Sequence, residues 1–411
     1  MNTAIASATV PKPLYWLALG AFAIGTEGFM IAPLLPSIAA DLGVSVSMAG
    51  QLVTAFALAY ALSSPILTVL TGSANRRRLL ILCLGAFAVA NVIAFSSSGY
   101  WQLLGARLLL AFSAGLYVPS ANAVATALVS PERRGRALSI VNGGTSLAIA
   151  LGVPLGAILG HAAGWRMTFA GVAVLAVIAT IALQLGLPRA FGAGIPVASL
   201  KARYAVARNP QVLRALMVTT LWAMGAYTVY TYVASYIAGA TGIVGAGLSV
   251  ILFVWGLSAA AGVFLGGNLT DKLGAEQVIK PALAALAFAF GSLSLIALSP
   301  GHSLSVVPVI VAVVVWGLSA WAFFPAQQAR LIGIAGLPVA PVVLSLNASF
   351  MFAGFSLGAA LGAFTLNHAS FADLGWVGAT CELVALLLLW LGSAKASAVT
   401  NTLPATSTAN E

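Results

Sequence analysis

The chain has 411 residues, of which 61% are hydrophobic and only 6% charged, with a mean hydropathy of +1.05. Those values exclude an ordinary soluble globular protein and indicate a polytopic membrane protein. The net charge of +10 would suggest nucleic acid in a soluble chain, but here the basic residues follow the pattern of membrane topology, so no nucleic-acid partner is expected.

A spanning helix needs about 20 apolar residues. Scanning on that basis predicts twelve segments: 14–36, 48–71, 79–97, 100–128, 137–160, 166–187, 212–238, 247–269, 279–299, 305–332, 341–366 and 374–393. The first run, Leu14 to Leu35, is longer than a signal-peptide core of roughly 7–15 residues, so it is read as a retained span. Spanning β-barrels would show short alternating strands, whereas these apolar runs are long and uninterrupted. The expected fold is therefore an all-α membrane protein of twelve transmembrane helices. Two six-helix halves, 14–187 and 212–393, flank a linker at 188–211, with short ends at 1–13 and 394–411.

Arg76, Arg77 and Arg78 fall between segments 2 and 3, and Arg133, Arg134 and Arg136 between 4 and 5. Arg189, Lys201, Arg203, Arg208 and Arg214 mark the linker, Lys272 and Lys280 the turn between 8 and 9, and Arg330 the turn between 10 and 11. With Lys12 and Lys395, sixteen of the 18 basic residues lie on one side. The positive-inside rule makes that side cytoplasmic, both termini included. Cys83 and Cys381 lie in apolar runs and are read as buried small hydrophobes, with no disulfide framework and no metal site.

Glu27 lies near the middle of the first apolar run. An ionisable group at that depth costs roughly 2.5–3.5 kcal/mol and is functional by default. Arg107 lies inside segment 4, about 10 Å from its outer end, and Glu27 lies about 20 Å from the inner start of segment 1. In a hydrocarbon core about 30 Å thick the two share a level. Burial favours a neutral acid and a nearby Arg favours the carboxylate, so a group balanced between them can load and release a proton. Substrate can compete with Arg107, or with the proton, for Glu27. Glu382, in segment 12, falls near Asp373 and is read as an interfacial residue. His161, His302 and His368 fall near outer loops and are given no proton role.

Gly266–Gly274 reads GGNLTDKLG, and Gly152, Gly156 and Gly160 recur every four residues beside Pro154. A glycine stripe admits close helix contact, and Pro154 removes one backbone hydrogen bond. Gly267, Asp271, Lys272 and Gly274 fit the Gly-x-x-x-Asp-[Arg/Lys]-x-Gly loop of the major facilitator superfamily, which the chain resembles. That resemblance implies a conformational latch, with Asp271 placed near a helix N-terminus. The first-half copy, TGSANRRR from Thr71, keeps the arginines without the Asp. Gly152-Val-Pro154-Leu-Gly156 is similar to the segment 5 signature of proton-coupled exporters, with Val153 inserted between Gly and Pro. Together with GTEGFMIAPLLPSIAADLGVS from Gly25, GWRMTF, PAQQARL and SLNAS, it resembles the drug:proton antiporter type. The branch is the one that includes chloramphenicol, sugar and purine-nucleoside exporters. An Arg at position 107 is similar to the family's coupling arginine. LGVPLGA from Leu151 and LGAALGA from Leu357 match at five of seven positions, a faint echo of two repeated halves.

Tyr117, Asn122, Trp222, Tyr227, Tyr230 and Gln327 are candidate cavity residues, with Trp316 and Trp321 nearby in segment 10. Aromatic rings with hydroxyl or amide neighbours suit amphipathic ligands. No phosphate-cradling Gly-x-x-x-x-Gly-Lys-[Ser/Thr] loop and no HExxH pair occur in the sequence. The expectation is a proton-coupled exporter of a small organic molecule, without cofactor and driven by the proton gradient, monomeric, in a bacterial inner membrane. A sugar or nucleoside exporter remains the near alternative, and a receptor or channel the distant one.

Overall fold

The computed structural model describes residues 11–130, 133–187, 200–298 and 302–401. Helices dominate it, and twelve are long and apolar enough to span a bilayer. They are α1 (Pro13–Leu42), α2 (Val46–Leu70), α3 (Arg76–Phe95), α4 (Tyr100–Ala127), α5 (Arg134–Ala163), α6 (Trp165–Gly186), α7 (Pro210–Tyr230), α8 (Ala246–Leu273), α9 (Ala275–Ala297), α10 (His302–Ala335), α11 (Ala340–His368) and α12 (Asp373–Asn401). All twelve predicted segments are present. Arg189 and the linker stretch 188–199 lie outside the described residues, as do residues 1–10, 402–411 and the side chains of His302 and Lys395. From the linker, a short helix Leu200–Ala207 packs against α11, where Arg203 Nη1 donates to Ser345 Oγ at 2.5 Å.

Several boundaries moved for identifiable reasons. α1 runs on to Leu42, because the apolar stretch ends before the helix does, and Ser37 Oγ donates back to Leu34 O at 2.8 Å. Predicted segment 7 breaks after Tyr230: Thr231 and Tyr232 form a turn before a second helix, Val233–Thr241. The arginines expected in the loop after α2 occupy the first turn of α3 instead. Arg77 donates to Leu187 O and Gln184 O, both at 2.7 Å, and so ties that turn to the end of α6. Arg330 lies within α10 and reaches Glu276 of α9 at 3.6 Å.

Prolines within the spans release carbonyls, because each lacks the N–H that would bond four residues back. Two of those carbonyls have been put to use. Pro119 frees Gly115 O, which accepts from Ser64 Oγ at 2.6 Å and joins α2 to α4. Pro33 frees Phe29 O, which accepts from Tyr230 OH at 2.9 Å and joins α1 to α7.

Two ends can be told apart. At the end bearing the loops before α3 and α5, which we term the basic end, the short helix Leu200–Ala207 lies against both α2 and α11. The two helix sets, α1–α6 and α7–α12, meet at the stacked pair Tyr60–Phe352, ring centroids 3.7 Å apart, and at the opposite end. There Ser47 Oγ donates to Asn367 Oδ1 at 2.7 Å, and Ser356 Oγ donates to Thr54 O at 3.0 Å. Gly50 lies against the Tyr232 ring, and Gly256 of α8 lies directly on the backbone at Ile149 and Ala150. The loops of this end are held by Arg166, which pairs with Asp41 at 2.5 Å and donates to Ser97 O.

Candidate functional site

Glu27 and Arg107 meet. Both are fully buried, and Arg107 Nη1 donates to Glu27 Oε1. The guanidinium carbon lies 4.1 Å from the centre of the Phe56 ring, a cation–π contact from α2. The pair is incompletely satisfied: Glu27 Oε2 and Arg107 Nη2 have no hydrogen-bond partner. Buried ions without full solvation are costly, so each depends on the other to remain charged.

The helix that carries Glu27 is held by the glycine stripe of α5. A side chain at Gly152 would strike Thr26, one at Gly156 would meet Met30, and one at Gly160 would strike Leu34. Those α1 residues recur every four positions, matching the stripe turn for turn. Just before Pro154, α5 widens into a π-helical turn, Ala148–Gly152, with Val153 N–H donating to Ala148 O. Pro154 therefore accompanies a change of helical pitch at the level of Glu27. Gly152→Val is expected to destabilise the protein by about 1–3 kcal/mol through overpacking against Thr26. Gly267→Ala, where a methyl group meets nothing within 4 Å, is expected to be neutral or slightly stabilising. Thermal unfolding of the two purified variants checks both.

Two residues beyond Glu27, Phe29 enters an aromatic cavity between the two helix sets. Its other walls are Trp222, Ala226, Tyr227, Tyr230, Trp255, Trp316, Ala320, Trp321 and Phe355. Tyr227 stacks on Phe355 at 3.7 Å, and Tyr230 lies 4.9 Å from Trp255. The free volume is about 20 Å³, room for a single water-sized molecule. Drug-sized ligands occupy cavities of about 300 Å³ or more, so ligand entry requires these rings to part.

Of the cavity candidates from sequence, Trp222, Tyr227 and Tyr230 line this space, as do Trp316 and Trp321. The other three lie elsewhere. Tyr117 is buried against Gly20 and donates to Leu17 O at 3.1 Å. Gln327 is buried towards the basic end, donating to Ala215 O at 2.6 Å and Thr219 Oγ1 at 3.0 Å. Asn122 is partly buried, and its Oδ1 has no partner. Phe29, Trp255 and Phe355 were missed. Phe29 offered a signal, its closeness in sequence to Glu27, but helix rotation alone does not say which aromatic rings face inward.

Asp271 lies in the last turn of α8, just before the Gly274 cap of α9, and it is exposed, with no ion pair or side-chain hydrogen bond among the described residues. Lys272 shares that turn, and Gly274 makes the turn into α9 at φ +88°. Glu382 requires a correction. It is fully buried rather than interfacial, because α12 carries it about 14 Å from its start at Asp373 into contact with α7. His161 lies against Gly245 at the end opposite the basic one, and His368 stacks on Phe364. Cys83 and Cys381 are both buried.

A twelve-helix membrane bundle with a buried ion pair beside a central cavity is the build of a membrane transporter. The profile of the Major Facilitator Superfamily matches residues 17–359. The chain is 31% identical over 388 residues to the inner membrane transport protein YdhP of Escherichia coli K12, covering 93% of this chain and 96% of the relative. It is 32% identical over 387 residues to a chloramphenicol resistance protein of Streptomyces lividans, covering 92% and 95%. A crystal structure of the peptide transporter POT shares the fold, with a TM-score of 0.75 at 16% identity over 93% of this chain and 94% of the other. The chain belongs to the Major Facilitator Superfamily and is a multi-pass inner-membrane transporter.

Proposed function

We propose that the protein exports a small, amphipathic, drug-like compound in exchange for protons. Glu27 is the proton site and Arg107 its coupling partner. The observation that carries this reading is the buried, half-satisfied Glu27–Arg107 pair two residues from the wall of the cavity. Protonation of Glu27 removes its attraction for Arg107 and leaves the guanidinium to seek other acceptors. Phe29, on the same helix and bonded through its carbonyl to Tyr230, links that change to the cavity and to α7.

The cavity wall favours the drug-like reading over the sugar and nucleoside alternatives. It is built of aromatic rings and alanines, with no carboxylate or amide to bind a polyol. The relative that confers chloramphenicol resistance points the same way. With the basic end taken as cytoplasmic, the hydrogen bonds at the opposite end fit a conformation closed outward. The exposed, unpaired Asp271 fits a cytoplasmic latch that is disengaged in that state. Alternating access then follows as the six-helix halves, 14–187 and 212–393, rock about the cavity.

The test is substrate-induced proton release in proteoliposomes, with chloramphenicol-like drugs, pentoses and purine nucleosides as probes. Wild type is expected to release protons with a drug-like probe, and Glu27→Gln to release none. Release driven by pentoses alone would transfer the assignment to sugar export. Transport by Glu27→Gln with unchanged pH dependence would remove Glu27 from the mechanism.

A further inference from the structure

Glu382 is the second carboxyl within the spans, and its setting is the opposite of Glu27's. Both its oxygens are buried and neither has a hydrogen-bond partner. α12 packs against α7, α9 and α11, and the titratable groups of those helices are all accounted for. Arg214 on α7 and Glu276 and Lys280 on α9 lie in the first two turns at the basic end. His368 ends α11. Tyr227 and Tyr230 face the cavity, and Tyr232 and Tyr236 donate to Ala359 O and Leu293 O. Cys381, the preceding residue on α12, is also buried against Gly225. A carboxylate in such a place would have neither cation nor donor, and an isolated buried charge is far more costly than a neutral acid.

The position also bears on the transport cycle. Glu382 Oε1 touches Gly225, where α7 crosses α12 at Gly378. Trp222, Ala226 and Tyr230, one turn apart on α7, line the cavity, while Gly225 and Val229 face α12. The carboxyl therefore lies one helix behind the cavity, below the break in α7 at Thr231 and Tyr232. Glycines on α11 (Gly354, Gly358) and α12 (Gly378) let α7 lie close on both, with the Tyr227–Phe355 stack and the Thr219–Asn347 hydrogen bond joining α7 to α11 as well. A displacement of α7 would open Glu382 to the cavity and its water.

We propose that Glu382 is a second proton-binding site: it holds a proton while α7 covers it and gives it up when α7 moves. The site extends the proton-coupled reading of Glu27 and rests on it for the transport measurement alone. Infrared spectroscopy of the purified protein in lipid nanodiscs at neutral pH tests the protonated acid directly. The expected result is a carboxylic-acid C=O band that Glu382→Gln removes and Glu27→Gln retains. In proteoliposomes, the proton count per substrate, read from the reversal potential, is expected to fall by one in Glu382→Gln. If the Gln variant does not fold, Glu382→Asp gives the same reading by displacing the band instead of deleting it. A wild-type spectrum without the band would mean an ionised Glu382 and overturn the proposal. Loss of the band with an unchanged proton count and pH profile would also overturn it, leaving a neutral acid with a packing role. Failure of the Glu27 reading would show instead as proton-coupled transport that persists in Glu27→Gln.

Discussion

Arg107→Leu is expected to cost about 3–5 kcal/mol of stability, the usual penalty for removing one partner of a buried ion pair. The large term is the Glu27 carboxylate left behind, which has no second donor to turn to, because Oε2 is already without a partner. The cost should therefore shrink once that charge is gone. Arg107→Leu combined with Glu27→Gln is expected to recover most of the loss, since a neutral pair of similar volume is often as stable as the ions it replaces. Chemical denaturation of the four proteins (wild type, each single variant and the double variant) closes a double-mutant cycle, and a coupling of several kcal/mol is the expected result. Additive losses would mean that the two side chains do not depend on each other, despite their contact. The double variant is also expected to be inactive in proton-linked transport. A restored fold without restored coupling separates the pair's role in transport from its role in packing.

The fold was largely legible in the sequence because hydropathy over about 20 residues is a strong, local signal. The meeting of Glu27 and Arg107 was legible too, because rise per residue places two charges at one depth without knowledge of the packing. Rotation about a helix axis was not. All-round apolar helices carry little amphipathic signal, so nothing local separated the inward-facing Trp255 and Phe355 from rings on other faces. Glu382 was misjudged for the same reason. Its depth looked shallow when counted from Asp373, yet the Gly225–Gly378 crossing that encloses it lies on two helices about 150 residues apart. Gln327 was a reasonable cavity candidate by type, but its amide is committed to Ala215 and Thr219. Which polar groups are already satisfied is a property of the assembled bundle.

A cross-link between Cys residues at positions 47 and 367 is expected to stop transport and to release it on reduction. Ser47→Cys and Asn367→Cys replace a hydrogen bond that joins α2 to α11 at the end opposite the basic loops. Ser47 is buried at 8% exposure, much as Cys83 is at 6% and Cys381 at 5%, so the two native cysteines are first replaced by Ala before a short bifunctional thiosulfonate is applied. The reason to expect full arrest is that alternating access requires this end to part in each cycle. Three side-chain hydrogen bonds among the described residues cross between the helix sets: Ser47–Asn367, Ser356–Thr54 and Tyr230–Phe29. At about 0.5–1.5 kcal/mol net for each, they supply a few kcal/mol. Moving a two-state equilibrium from 1:99 to 99:1 takes about 5.5 kcal/mol. Binding of substrate and transfer of a proton can together meet a difference of that size, so the closed end can open in each cycle. A covalent link removes that freedom. Uptake of the probe into inverted vesicles is expected to fall to background after cross-linking and to return with reductant. Undiminished uptake with the link in place would show that this end does not open during transport, and alternating access between these two helix sets would have to be abandoned.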